Sequence, residues 1–199
     1  VSEPKFTFDD TGLYPEATTF FLTTSGIDLK YLTALLNSKL LFWIFKDICT
    51  ELRGGYVRYK KVFIEQLPIY LAMSESQKPI IEKADRMLKL NKDLFDEING
   101  FKDWLTLTFK IEKFSKKLDK YYELSFNDLL TELKKKKVDI KHRKDQELLK
   151  KEFESSLDNI IPLLHEIDAT KNEIDHIIYR LYGLNDYEIE IVENSLKYD

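Results

Sequence analysis

The sequence contains few of the residues that cross-link, turn or interrupt a chain. Among its 199 residues there is one cysteine, Cys49, and only six glycines and five prolines. One cysteine excludes a disulfide framework and a thiolate metal site within this chain, which fits the reducing cytoplasm. Scarce glycine and proline favour long helices over many short strands and turns. We therefore expect a mostly helical, cytoplasmic protein.

Long apolar runs and enzyme signatures are also lacking. The longest apolar stretch, LLFWIF at 40–45, is far shorter than the roughly 20 residues that cross a bilayer, so no membrane partner is expected. The first residues, VSEPKFTFDD, are unlike a signal peptide and lack an initiating Met, and we interpret the chain as a fragment of a longer polypeptide. No GxGxxG, P-loop, GxSxG or HExxH pattern is present. The chain is expected to be non-catalytic, with no cofactor of its own.

Metal-ligand patterns are weak. His142, His165 and His176 do not form a ligand set with a second cluster, so no metal site is predicted. One predicted helix carries two acidic residues and a lysine, a set that holds Mg²⁺ in many nucleases. The strand pair that usually accompanies such a set is not predicted here, so a structural role is favoured. The residues concerned are Asp128, Glu132 and Lys134.

Charge is distributed unevenly along the chain. The net charge is −4, but residues 110–151 hold 14 Lys and Arg against 8 Asp and Glu, whereas residues 152–199 hold 3 against 12. Local fields, rather than net charge, attract a polyanion. The run KKKK at 134–137 could follow a DNA backbone, or it could be a solvated helix end that complements the helix dipole.

The first part of the chain predicts a small unit of mixed secondary structure. TTFFLTT at 18–24 is β-branched and aromatic, which predicts a short strand. Asp28 is placed to cap a helix that is interrupted at Asn37-Ser38 and then continues. After Gly54-Gly55, the segment YVRYKKVFIEQL alternates like a strand or an extended chain and ends at Pro68.

From Ser74 onwards the apolar pattern becomes that of long helices. Ser74 and Gln77 predict a capping box, followed by a heptad-like seam that extends to Ile98. A second seam covers residues 149–181, and Pro162 is expected to kink or split it. Shorter amphipathic helices are predicted in between, one of them capped by Ser125. A final short helix is predicted to follow Gly183 and to start with Asn185 and Glu188.

These patterns predict an α+β fold that is predominantly α-helical. Residues 1–72 are expected to form a small mixed N-terminal recognition unit. Residues 73–199 are expected to form a helical spacer and docking region of long antiparallel helices with heptad patterns. The acidic C-terminal part would then face away from phosphates.

The segment RGGYVRYKK at 53–61 concentrates four cations, two tyrosines and a Gly-Gly pair. Cations suit phosphates, an arginine fork can read guanine in the major groove, and glycines let backbone amides approach closely. A Gly-Gly turn before a strand with outward basic residues is the alternative interpretation, and composition alone leaves both open. The candidate DNA-contact residues are Arg53, Gly54, Gly55, Tyr56, Arg58, Tyr59, Lys60 and Lys61.

Three stretches together resemble a known family. They are PKFTFDDTGLYPEATTFFLTTSGIDLKYLTALLNSKLLFWIFKDICTELRGGYVRYKKVFIEQLPI, KLDKYYELSFNDLLTELKK and NEIDHIIYRLYGLNDYEIEIVE. In this order they resemble the C-terminal target-recognition (TaqI-like specificity) region of type IIG restriction-modification enzymes and related adenine-specific DNA methyltransferases. The resemblance covers nearly the whole chain.

The resemblance implies a bacterial or archaeal parent protein with a nuclease and an S-adenosylmethionine-dependent methyltransferase ahead of this module. S-adenosylmethionine and Mg²⁺ would be cofactors of the parent, since the acidic-Pro-Pro-aromatic and glycine-rich methyltransferase motifs are absent here. The implied partners are double-stranded DNA and the parent's own N-terminal domains.

In that setting Lys60 and Lys61 would anchor phosphates, Arg53 or Arg58 would read base edges, and the tyrosines Tyr56 and Tyr59 would buttress the segment or stack. The competing hypothesis is a helical docking domain that binds another protein through its heptad seams and makes no DNA contact of its own. An autonomous nuclease is a third, weaker hypothesis.

Overall fold

The computed structural model describes residues 4–12, 14, 21–49, 51–52, 56–111, 113–138, 140 and 142–196. In these residues helices follow one another along almost the whole chain. The elements are α1 (Leu29–Asn37), α2 (Lys39–Ile48), β1 (Glu51–Leu52), β2 (Tyr56–Val57), α3 (Lys61–Ile64), α4 (Ser74–Phe109), a 3₁₀ helix (Leu118–Glu123), α5 (Phe126–Lys135), α6 (Arg143–Leu181) and α7 (Asp186–Ser195).

The expected α+β fold class is wrong, because the described residues are all-α. Their strand pairing is confined to the two-residue strands β1 and β2, which are antiparallel with Glu51 opposite Val57. Within the strand predicted at 18–24, residues 21–24 form no strand, and residues 18–20 lie outside the described part. A β-branched, aromatic composition is a weak strand signal because burial and packing decide the outcome.

The second half of the predicted extended segment is also helical. Residues 61–64 form α3. The Ile64 amide donates a hydrogen bond to the Lys60 carbonyl at 3.1 Å. Helical spacing turns Phe63, Ile64 and Leu67 toward one apolar cluster. Packing therefore outweighs the strand preference of Val62, Phe63 and Ile64.

Helices α1 and α2 begin where the sequence predicts. Asp28 accepts hydrogen bonds from the amides of Lys30 and Tyr31, and Ser38 separates the two helices and accepts from the Leu41 amide. Both caps satisfy amides that have no partner within the helix. The predicted interruption at Asn37-Ser38 is confirmed.

Helix α4 is longer than the sequence predicts. It starts at Ser74, passes Ile98 and continues to Phe109, through residues expected to form a separate helix. Gly100 does not end it, because Phe101 and Leu105 continue the buried stripe beyond the glycine. The Gln77 side chain, expected to cap Ser74, instead donates to the Ala72 carbonyl at 2.8 Å and accepts from the Asp28 amide at 3.3 Å.

Helix α6 stays one element through Pro162, so of the predicted kink or split the split does not occur. Buried apolar residues on both sides of the proline, Ile160 and Ile174, hold the two parts in place. The helix end at Gly183, which has a φ of 75°, is confirmed, as is the capping box of Asn185 and Glu188 at the start of α7. The Ser125 cap of α5 is also confirmed.

The chain folds into two compact units. Unit 1 consists of residues 1–87 and 169–199, and unit 2 consists of residues 88–168, so α4 and α6 each contribute residues to both. The predicted boundary at residues 72 and 73 concerns modules of the sequence, and it stays a prediction.

Unit 1 is built on α1, α2, the first part of α4, the last part of α6 and α7. Its first core cluster joins Tyr31, Leu35 and Leu41 of α1 and α2 to residues of the later helices. The connecting segment before α4 is fixed by side-chain hydroxyls. Tyr182 donates to the Pro68 carbonyl at 2.7 Å, and Tyr31 donates to the Tyr70 carbonyl at 2.8 Å.

Unit 2 contains an aromatic core between α4 and α6. The ring centroids of Phe101 and Tyr121 are 4.3 Å apart, and those of Phe101 and Phe153 are 6.2 Å apart. Glu97 accepts a hydrogen bond from Ser156 at 2.9 Å, which, with the Phe101–Phe153 contact, shows that the two helices run antiparallel in this unit.

Candidate nucleic-acid interface

The predicted site segment is described only in part. Arg53, Gly54 and Gly55 lie outside the described residues, and for Tyr56 the structure describes the backbone, which belongs to β2. Full side-chain detail begins at Val57. The contacts of the segment can therefore be followed through the remaining candidates, Arg58, Tyr59, Lys60 and Lys61.

The chain from Val57 to Lys60 alternates between the core and solvent. Val57 is 2% exposed and Tyr59 is half-buried, whereas Arg58 and Lys60 are exposed. Lys60 has extended backbone angles, φ −123° and ψ 147°. Since successive side chains of an extended chain point in opposite directions, both cations face away from the apolar cluster.

Tyr59 holds this segment against the helices beneath it. Its ring stacks on Phe45 of α2, with centroids 4.3 Å apart and an interplanar angle of 15°, and meets Phe6 edge-on at 5.2 Å. Burial, with a smaller effect of Cys49, raises the pKa of the Tyr59 hydroxyl, so it stays protonated at neutral pH. This placement suits a buttress, because protein rings already contact the Tyr59 ring.

The three described cations are only weakly engaged. Lys61 Nζ lies 3.5 Å from Glu65 Oε1, in a pair whose side chains are 80% and 60% exposed, which typically contributes about 0–1 kcal/mol. Lys60 Nζ lies 6.0 Å from the centroid of the Phe63 ring. Within the described residues, Arg58 makes no ion pair. These side chains can therefore reach phosphate oxygens without breaking a strong intramolecular contact.

The N-terminal segment also supports Tyr59, through Phe6. Asn37 accepts from the Phe6 amide at 3.0 Å and donates to the Phe6 carbonyl at 2.8 Å, so one side chain holds both backbone groups of the residue. Phe6 in turn contacts Tyr59. Sequence reasoning missed both Phe6 and Asn37, since the asparagine signals only a helix end.

A buried polar network fixes the start of α2. The Asp175 carboxylate accepts from the Lys39 amide at 2.9 Å, and Lys39 Nζ lies 2.8 Å from Glu193 Oε2 and 3.9 Å from Asp175 Oδ2. Tyr179 donates to Glu193 Oε1 at 2.8 Å. A carboxylate near the first amides of a helix stabilises the positive end of its dipole.

Burial dominates the electrostatics of this network. It raises the pKa of Asp175 to about 6, even though Lys39 favours the charged form, and Asp175 Oδ2 has no hydrogen-bond partner among the described residues. For Glu193, burial acts in the same direction, but hydrogen bonds from Lys39 and Tyr179 outweigh it and lower the pKa. The sequence gives no signal for this network, because Asp175 lies in α6 and Lys39 in α2.

The acidic residues of the set that resembles a nuclease Mg²⁺ site make structural contacts. Asp128 accepts a hydrogen bond from Ser125 at 2.6 Å near the start of α5. Glu132 is buried and accepts from Lys135 at 2.7 Å and from Ser115 at 3.2 Å. In the part of the chain that the structure describes, no group of three or more His, Cys, Asp or Glu is arranged to hold a metal ion.

None of the described helices combines the length and the apolar composition that crossing a membrane requires. Comparison with known families matches two consecutive parts of the chain. Residues 1–69 match the model of the TaqI-like C-terminal specificity domain, so the resemblance noted in the sequence is confirmed for this part of the chain. Residues 73–178, more than half of the chain, match the model of a domain of unknown function, DUF8810. No curated protein and no solved structure matches the chain.

Proposed function

We propose that this chain, which belongs to the DUF8810 family and begins with a TaqI-like C-terminal specificity domain, recognises a base sequence in double-stranded DNA for a restriction-modification enzyme. The specificity domain supports a role in target recognition. A function in DNA recognition also suits a chain without a catalytic motif, since such a module selects the site and leaves the chemistry to other domains.

The alternation at residues 57–60 is the observation that carries the proposal. Val57 and Tyr59 are turned to the core, and Arg58 and Lys60 are turned to solvent. An exposed arginine and lysine on a segment that is fixed from behind can be presented to DNA at a small entropic cost. Arg58 would contact base edges, while Lys60 and Lys61 would position the segment on phosphates.

The rest of the predicted site completes this interface in the proposal. Arg53 would be a second reader of base edges, and Gly54 and Gly55 would allow the backbone to approach the duplex. Tyr56 would support the segment or stack, and Tyr59 would buttress it. The hydrogen bonds and ion pairs of Lys39 with Asp175 and Glu193 would keep α2 in position, and with it the Tyr59 ring that stacks on Phe45.

We further propose a type IIG parent protein in bacteria or archaea, with a DNA adenine methyltransferase and a nuclease ahead of this module. Holding the duplex would present one adenine for extrusion into the methyltransferase domain. We assign S-adenosylmethionine and Mg²⁺ to those domains, because this sequence lacks the methyltransferase motifs and its described residues contain no group of three or more candidate metal ligands.

The competing docking hypothesis finds little support in the seams themselves. Ile80, Ala84 and Ile174 pack in the first core cluster of unit 1, and Leu94 and Ile160 pack in the core of unit 2. These seam residues pack within the chain, whereas Phe95, which widens the first seam, is 65% exposed.

Selection from a randomised duplex library tests the proposal. The 199-residue chain is expected to enrich one short motif, and the variant with Arg58, Lys60 and Lys61 changed to alanine is expected to enrich none. Loss of a good base contact costs roughly 1–3 kcal/mol of discrimination. A variant with Lys78, Lys89 and Lys92 changed to alanine removes the same charge from α4 and should enrich the parent motif.

Two results would contradict the proposal at different levels. Absence of duplex binding by the unchanged chain at low salt would rule out DNA recognition by this module. Binding with the same motif and affinity in the Arg58, Lys60 and Lys61 variant would retain the function but remove the assigned site.

A further inference from the structure

Two distant segments of unit 2 meet at the buried carboxylate of Glu132. Ser115, in the turn before the 3₁₀ helix, donates to Oε2 at 3.2 Å, and Lys135, in the last turn of α5, donates to Oε1 at 2.7 Å. The hydrogen bond from Lys135 lowers the pKa of Glu132, and the charge of Lys117 lowers it further. Lysines from both segments therefore lie around one carboxylate.

These segments bring exposed lysines together from two parts of the sequence. We call this set the lysine surface, and all its members are exposed: Lys116, Lys117, Lys134, Lys135, Lys136 and Lys137. The left-handed backbone of Lys137, with a φ of 62°, reverses the chain after α5. The reversal keeps the last lysines of the run next to the helix end.

Among the residues that the structure describes, little negative charge offsets this surface. Within the described residues, Lys135 is the member that forms an ion pair, with Glu132. Neighbouring carboxylates are engaged elsewhere: Asp119 pairs with Lys102 at 2.6 Å, and Glu123 pairs with Lys120 at 2.8 Å. Mutual repulsion of such lysines is unfavourable in the free protein, and a bound polyanion relieves it.

The helix dipole accounts for only part of the set. Lys134 and Lys135 do lie in the last turn of α5, where a cation is favourable. Lys117, however, precedes the 3₁₀ helix as its N-cap residue, so a helix C-terminus does not account for its position. The carbonyls at the end of α5 already accept backbone amides, such as Leu133 from Lys136 at 3.0 Å.

We propose that the lysine surface is a sequence-independent anchor for the DNA phosphate backbone, located within the DUF8810 region. The inference rests on the proposed function, because the duplex recognised by the first 69 residues is the polyanion that the chain meets. Lysine ammonium groups are point charges that bind phosphates without base discrimination. Affinity and sequence preference would thus come from different parts of one chain.

Duplex binding by the 199-residue chain tests this division. The variant changes Lys116, Lys117, Lys134 and Lys136 to glutamine, which keeps helix propensity, and spares Lys135 because it pairs with Glu132. The probe is a fluorescent duplex of mixed sequence, titrated between about 50 and 200 mM salt. We expect at least tenfold weaker binding at low salt and a log–log salt slope shallower by about 0.9 for each phosphate that the variant no longer neutralises.

A charge-matched control changes Lys89, Lys92, Lys150 and Lys151 to glutamine. Lys150 and Lys151 lie among carboxylates that include Glu147, Glu154 and Asp158, so their replacement should change the slope far less. The motif selected from a randomised library should be the same for the lysine-surface variant and the unchanged chain. Circular dichroism and urea unfolding confirm that both variants are folded.

The outcomes separate this inference from the proposed function. An unchanged salt slope in the lysine-surface variant, with duplex binding by the unchanged chain, would overturn the anchor and leave DNA recognition standing. A changed motif would also overturn it, since the surface would then read sequence. No duplex binding by the unchanged chain would overturn both. If the lysine-surface variant lost binding to phosphatidylserine vesicles but kept its DNA affinity, the surface would be assigned to membranes instead. The anchor would then be overturned.

Discussion

Tyr59 and Phe45 form a parallel ring stack, with centroids 4.3 Å apart and an interplanar angle of 15°. Phe45 is 1% exposed in α2, and Tyr59 lies between the exposed residues Arg58 and Lys60. The stack therefore joins the core of unit 1 directly to the segment proposed to contact DNA. The position of the cations depends on this aromatic contact as well as on the short β1–β2 pairing before Arg58.

Replacing Tyr59 with alanine should reduce both stability and DNA binding. We expect a loss of about 2–4 kcal/mol in the free energy of unfolding, because a half-buried ring and its stacking are removed. Tyr59→Phe keeps the stack and should remain close to the parent protein. Urea unfolding and duplex titration measure the two effects, and equal DNA affinity in Tyr59→Ala would refute the buttress role.

Changing Asn37 to aspartate should release the N-terminal segment. The carboxylate keeps the shape of the amide but cannot donate to the carbonyls of Phe6 and Thr33, which Asn37 contacts at 2.8 and 2.9 Å. We expect a cost of roughly 1–3 kcal/mol and weaker protection of the Phe6 amide in hydrogen exchange. Asn127→Asp, at an exposed position in the first turn of α5, is the control and should be nearly neutral. Full protection in Asn37→Asp would contradict the assigned hydrogen bonds.

Stability should depend on pH through Asp175. Its pKa rises from an ordinary value near 3.9 when unfolded to about 6 in the fold, so the folded protein holds the proton more tightly. The contribution is complete below about pH 4 and disappears as pH rises through 6, by on the order of 2–3 kcal/mol. Lys39, Lys171 and Glu193 also act on this carboxyl: the two lysines lower the pKa of Asp175 and Glu193 raises it, but burial has the largest effect.

Asp175→Asn tests this pH dependence. The amide can still accept from the Lys39 backbone but does not titrate, so the stability difference between the parent and the variant should follow the proton of Asp175. Urea unfolding from pH 4 to 8 measures it. Parallel stability curves for the two proteins would show that Asp175 has no raised pKa.

Pro162→Ala should stabilise the protein without affecting its function. Pro162 is exposed within α6, where a proline removes one helical hydrogen bond and disfavours the preceding turn. Because the surrounding packing has already adapted, we expect a gain of about 1–2 kcal/mol, less than the roughly 3 kcal/mol of an unadapted helix. Thermal unfolding measures the gain, with Ile161→Ala as a neighbouring control that should not stabilise. A lower unfolding temperature for Pro162→Ala would contradict this account.

Local signals in the sequence predicted local structure well. Asp28, Ser125 and Asn185 each cap the helix that the sequence assigns to them. Capping works within three residues and needs no tertiary partner, which explains why it can be read directly. The same holds for Gly183, whose positive φ ends a helix at little steric cost.

Long-range packing caused the errors. Within the described part of the chain, neither residues 21–24 nor residues 61–64 have a neighbouring strand with which to form a sheet, and Phe63 and Ile64 pack as a helical turn instead. Likewise, Pro162 does not divide α6, because contacts on both sides maintain the helix. The spacing of apolar residues and their secondary-structure propensity do not reveal which other segments a given segment packs against.

The candidate site shows the same division. Its cations follow from composition, and the outward placement of Arg58 and Lys60 follows from alternation. The aromatic contacts that support these cations could not be predicted, since Phe6 and Phe45 reach Tyr59 from two separate segments. The Lys39 network with Asp175, 136 residues later in the chain, could be found only in three dimensions.

The shared core of unit 1 has a consequence for how the proposed recognition of a target could change. The helices α1 and α2 pack on Ile174, Ile178 and Val192, which are encoded far downstream of the codons for residues 1–69. Transfer of those codons alone between genes would bring a foreign half into an established core, with cavities and clashes as the result. Point changes on the solvent side of residues 57–61 leave that core intact. If these residues read DNA as proposed, drift of their exposed side chains is an easier path to altered specificity than exchange of the whole segment.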